Sequence, residues 1–119
     1  MDSKTKLMKF LDEFFKKLEG FPPAPGVVTY DRIILQFHHP AEQLRLDGAI
    51  ALAKARPNGR LGLRLVFELE GENPAQRPVQ VEVKGESGGP LELAATRDHF
   101  KEFAANLLAG FSAGLATTA

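Results

Sequence analysis

The chain has 119 residues, 44% of them hydrophobic and 25% charged, with fifteen basic and fifteen acidic side chains and no cysteine. That is the size and composition of one ordinary globular domain with enough apolar material for its own core. It excludes a disulfide framework, a thiolate metal site and a cysteine nucleophile; a net charge of zero lacks the basic footprint of many nucleic-acid binders, and no apolar run approaches the roughly 20 residues of a membrane span.

Met1-Asp2-Ser3-Lys4 leads into a charged amphipathic segment rather than the apolar core of a signal peptide, so a cytoplasmic protein is expected. Residues 3–19 read as a helix. Leu7, Met8, Phe10, Leu11, Phe14, Phe15 and Leu18 fall at helical spacing. On a wheel they cover a band about 160° wide, which suits a helix that touches two neighbours. Ser3 is the expected N-cap and Gly20 the expected stop. Residues 21–26, Phe-Pro-Pro-Ala-Pro-Gly, form a stiff connector.

Residues 27–39 read as a first strand, with Ile33, Leu35 and Phe37 on one face and Val28, Tyr30, Ile34 and Gln36 on the other. Residues 44–56 and 60–71 follow as a hairpin folded at Asn58-Gly59. Asn-Gly is the preferred pair of a two-residue type I′ turn, which needs φ > 0 at both positions. That turn sets a register in which Leu52 faces Leu65, Ile50 faces Phe67 and Arg45 faces Glu72. It gathers Leu52 with Leu61, Leu63, Leu65, Phe67 and Leu69 on one face. It leaves Ala49, Ala51, Ala53, Gly62, Val66, Arg64, Glu68 and Glu70 on the other. A helix over residues 41–55 is the competing reading, disfavoured by Gly48 and by the match across the turn. After a turn region at residues 73–78, Val79, Val81 and Val83 alternate with polar residues in a fourth strand, residues 78–85. Leu91-Glu92-Leu93 is either a short fifth strand or the lead into the last helix. That helix is expected over residues 97–113, capped by Thr96, with Phe100, Phe103, Ala104, Leu107, Leu108 and Phe111 on one face.

The predicted architecture is an α+β domain. It has an N-terminal helix, an antiparallel meander of four strands (five if Leu91–Leu93 counts), and a C-terminal helix packed on one sheet face.

Chemistry is sparse in this pattern. His38 and His39 are adjacent on a strand and point to opposite faces, and no His-x-x-x-His spacing is present. Serines occur only at positions 3, 87 and 112, none in a nucleophile elbow. Ser87-Gly88-Gly89 lacks the lysine and the strand–loop–helix context of a phosphate-binding loop. Glu68 and Glu70 share a strand face with Asp47 across from Glu70, an arrangement that is usually solvated. No catalytic, cofactor-binding or metal-ligating residue is assigned.

Two other features remain. Lys54, Arg56, Arg60 and Arg64 surround the hairpin tip, and no acidic residue lies between Asp47 and Glu68. They are candidate phosphate contacts for weak nucleic-acid binding, with no aromatic interleaved for base stacking. Phe10, Phe14, Phe15, Phe103 and Phe111 are candidates for an apolar contact or for the wall of a lipid or acyl-chain site. The first expectation is a non-enzymatic domain that acts through protein contacts, as a homodimer or with another protein. An apolar-ligand carrier comes second and nucleic-acid binding last.

Overall fold

The computed structural model describes residues 2–20, 24–71, 73, 75 and 79–111. The order of elements is α1 (Ser3–Glu19), β1 (Val28–His39), β2 (Leu44–Ala55), β3 (Leu61–Gly71), β4 (Val79–Ser87) and α2 (Pro90–Ala109). The four strands pair antiparallel in sequence order, β1-β2-β3-β4, as an open sheet. The chain is therefore α+β, with no fifth strand: Leu91, Glu92 and Leu93 open α2. Of the predicted segments, residues 21–23, most of the turn after β3 and residues 112–113 lie outside the described residues.

Both helices lie on the same side of the sheet. Leu7, Leu11, Phe14, Phe15 and Leu18 of α1 share one core with Leu93, Phe100, Ala104 and Leu108 of α2 and with the inward residues of every strand. Within it Phe15 meets Phe14 and Phe100 edge-on, and Phe103 stacks over Phe67. The wide apolar band of α1 is thus used up by its two neighbours, the sheet and α2.

The caps differ from those expected. Asp2 rather than Ser3 caps α1, its Oδ1 accepting a hydrogen bond from the Thr5 N–H at 2.7 Å. That bond also holds the Asp2 carboxyl below its ordinary range. Gly20 ends the helix, as the sequence indicates. α2 begins at Pro90, so Thr96 lies inside it. Proline suits a first helical turn, where its missing N–H has no partner to lose. The Thr96 hydroxyl donates to the Glu92 carbonyl at 3.0 Å and lies 3.4 Å from that of Glu86, tying the helix to the end of β4.

The hairpin between β2 and β3 carries the main correction. Gly59 has φ +81°, but Asn58 does not share a positive φ. The Gly59 N–H bonds to the Arg56 carbonyl at 3.0 Å and the Arg56 N–H to the Arg60 carbonyl at 2.8 Å. The loop is therefore Pro57-Asn58-Gly59, a type I turn followed by a left-handed glycine, and not a two-residue type I′ turn. Proline fits the first corner of a type I turn, and the Asn58 side chain accepts from the Arg60 N–H at 3.0 Å. One extra loop residue shifts the register by one. Ala51 faces Leu65, Ala49 faces Phe67 and Leu52 faces Arg64.

A one-residue slip moves every side chain to the other face. Ala49, Ala51, Ala53 and Ala55 are accordingly in the core, each at most 4% exposed. Ile50 and Leu52 point outward with Val66 and Arg64. The small residues on β2 leave the core volume above them to the large rings of the same cluster. Leu46 nevertheless also faces the core. A break in register between Leu46 and Gly48 makes Asp47 an extra residue of β2 and resets the alternation. Gly48 sits at that break, and a Cβ there would lie 2.7 Å from the Ile33 carbonyl oxygen of β1.

Candidate interface on the open face of the sheet

Neither helix covers the outer face. Its side chains form cross-strand rows read directly from the pairing: Val28–Lys54–Gly62–Glu86, Tyr30–Leu52–Arg64–Lys84, Arg32–Ile50–Val66–Glu82 and Ile34–Gly48–Glu68–Gln80. The β1–β2 half is apolar. Val28 is 50% exposed, Tyr30 67% and Ile34 70%, and Ile50 and Leu52 are half-buried beside them. Contiguous exposed apolar surface of this kind marks contact sites more often than scattered single residues do.

The β3–β4 half is charged, and the charge changes along the strands. Near the hairpin tip Lys54, Arg64 and Lys84 border a shallow hollow of about 390 Å³, floored by Val28, Leu52 and Gly62. Arg64 is ion-paired with Glu82, which Lys84 also approaches at 3.4 Å. The two cations hold the Glu82 carboxyl below its ordinary range, Arg64 first. At the far end lie Glu68, Glu70 and Asp47, with Arg32 3.3 Å from Glu68 and Arg45 3.2 Å from Glu70. Burial pushes the Asp47 carboxyl up, and the neighbouring Glu70 carboxylate adds to the effect.

The residues singled out from the sequence are divided by the fold. Of the basic tip, Arg60 is held on the helix side by Glu86 and Glu92, at 2.7 Å each, and Arg64 by Glu82. Those two bonds raise the Arg60 guanidinium and lower the Glu92 carboxyl. Arg56 lies over Gly62, its Nε 2.7 Å from where a Cβ would be. Lys54 and Arg56 have no ion pair among the described residues. Of the phenylalanines, Phe14, Phe15 and Phe111 are buried, while Phe10 and Phe103 are half-buried against the core. A second hollow, of about 320 Å³, opens where the end of α1, the hairpin tip and the start of α2 meet, lined in part by Leu18, Leu61 and Leu93. None of the five phenylalanines lines it.

His39 accepts a hydrogen bond from the Glu42 N–H at 3.2 Å and meets the Phe111 ring edge-on. Among the described residues no group of three His, Cys, Asp or Glu side chains is placed to hold a metal ion. Among them, too, no helix is long and apolar enough to cross a membrane. The sequence reading missed Ile50 and Leu52 as surface residues. Their signal was present in the odd-numbered alanines, which repeat as regularly as the leucines do. Comparison with protein-family models, curated proteins and solved structures found no match.

Proposed function

We propose that the protein is a non-enzymatic domain that acts through protein contacts, as a homodimer whose two copies meet through the outer face of the sheet. The observation that carries this reading is the exposed apolar half formed by Val28, Tyr30 and Ile34 with Ile50 and Leu52. A second copy is the partner that satisfies such a face with no further component, and two-fold dimers are the commonest assemblies. The size of the face is adequate. Four strands of nine or so residues span roughly 30 Å by 19 Å, about 600 Å² in projection and more in accessible area. Stable interfaces bury about 800 Å² per partner. A cysteine-free chain suits the reducing cytoplasm, where we place it.

Sedimentation equilibrium over a micromolar range tests the reading. The expected particle has twice the 13.0 kDa mass of the chain, and Tyr30→Asp combined with Ile34→Asp should return it to the monomer with its circular dichroism unchanged. A 13.0 kDa particle at every concentration, or a dimer indifferent to both substitutions, rejects it.

A further inference from the structure

Resting on that dimer, we infer the direction of its two-fold axis: the axis lies in the interface, across the strands, along the row Arg32–Ile50–Val66–Glu82. A face-to-face pair of identical sheets has an axis in the plane between them, because only such a rotation exchanges the two sides. The outer face varies in two directions at once. Across the strands it runs from apolar at β1 to charged at β4. Along the strands it runs from the cations Lys54, Arg64 and Lys84 to the carboxylates Asp47, Glu68 and Glu70.

An axis along the strands would lay β1 over β4. Tyr30 and Ile34 would then meet Lys84 and Gln80 of the second copy, removing charge from water with no partner for it. An axis across the strands lays β1 on β1 and β4 on β4 and reverses strand direction. Apolar surface then meets apolar surface, and each cationic end meets the acidic end of the other copy. Both gradients are satisfied by this one rotation.

The cross-strand rows give the contacts. About the central row, Arg64 exchanges with Glu68 of the second copy, Tyr30 with its Ile34, and Lys84 with its Gln80. The hollow around Gly62 receives the second copy's Glu70, close to Lys54. Ile50 and Val66 meet their own counterparts on the axis. Arg32 and Glu82 also meet their counterparts, but on the two outer strands, and each already holds an opposite charge, Arg32 that of Glu68 and Glu82 that of Arg64. Sheets packed face to face stay within about 30° of alignment, so the register holds best near the centre, where Arg64 and Glu68 lie.

Mixing two charge-reversed variants tests the axis. Arg64→Glu and Glu68→Arg each place like charges opposite one another twice in a homodimer. Each should weaken self-association about tenfold or more. Mixed in equal amounts, they form a heterodimer in which every such contact is again between opposite charges. Native mass spectrometry should show that heterodimer in excess over both homodimers. Lys54→Glu mixed with Glu70→Lys is a second pair, since Arg64→Glu also brings a new carboxylate beside Glu82. A wild-type dimer that Tyr30→Asp with Ile34→Asp dissociates, but with no heterodimer preference for either charge pair, overturns the axis and leaves the face standing. A monomeric wild type removes both.

Discussion

Gly48→Ala is the sharpest test of how β1, β2 and β3 fit together. The new methyl carbon would lie 2.7 Å from the Ile33 carbonyl oxygen, with the Ile33 carbonyl carbon and Ile34 Cα both at 3.8 Å. The offending atom is backbone in the neighbouring strand, so no rotamer change relieves the contact. Either the two strands separate by several tenths of an ångström or the ladder around the Asp47 bulge is broken. Overpacking of this kind costs about 1–3 kcal/mol. Replacing glycine by alanine returns about 0.4–1 kcal/mol by restricting the unfolded chain. A net loss of about 1–2 kcal/mol remains, and at about 4–8 °C per kcal/mol the melting temperature should fall by roughly 5–10 °C. Thermal unfolding followed by circular dichroism measures this directly, with urea unfolding as a check. Gly20→Ala is the control: no atom lies within 4 Å of its Cβ position, and its φ of −94° is open to any residue. A Gly48→Ala protein that melts with the wild type would mean that β1 and β2 do not approach as described.

Two further perturbations probe the same sheet. Ala51→Leu, at a position with no exposed surface, should cost about 1–3 kcal/mol in urea unfolding; a harmless substitution would put the alanines back on the outer face. Asp47→Asn should raise the melting temperature at pH 7, because a carboxyl whose folded pKa is raised binds its proton more tightly when folded and destabilises the fold while ionised. The gain should shrink as pH falls through that raised value and vanish below the ordinary value of 3.8, and a gain that grows on acidification would mean the carboxylate is stabilised by its surroundings.

The element order was legible because each element carries its own period. The α1 residues Leu7, Leu11, Phe14, Phe15 and Leu18 repeat helically, and Val79, Val81 and Val83 alternate. What the pattern hid was which face of β2 is buried. Leu44, Leu46, Gly48, Ile50 and Leu52 alternate without interruption, and read alone they belong to one face. Two local features break that reading. Asn-Gly occurs both in two-residue turns and, after Pro57, as the last two residues of a three-residue loop. The Asp47 bulge then lets Leu46 face inward at one end of the strand while Ile50 and Leu52 face outward at the other. Thr96 misled for a related reason: a threonine inside a helix can bond back to a carbonyl four residues earlier as readily as it caps. The outer face inherited its misreading from the register, because its apolar half consists of the very leucine and isoleucine that the shorter turn would have buried.

The ends of the chain close the fold on themselves. Lys101 of α2 reaches Asp12 of α1 at 2.9 Å across 89 positions of sequence, whereas each strand pairs with the strand that follows it. During synthesis α1 emerges first, yet the helix it packs against emerges last. The meander can zip up from short loops, each closing at small entropic cost, but α1 must wait for the longest closure in the molecule. Until then the alanines of β2 and the leucines of β3 lack half of their roof, and a chain shortened at either end would keep that partly unroofed sheet for good.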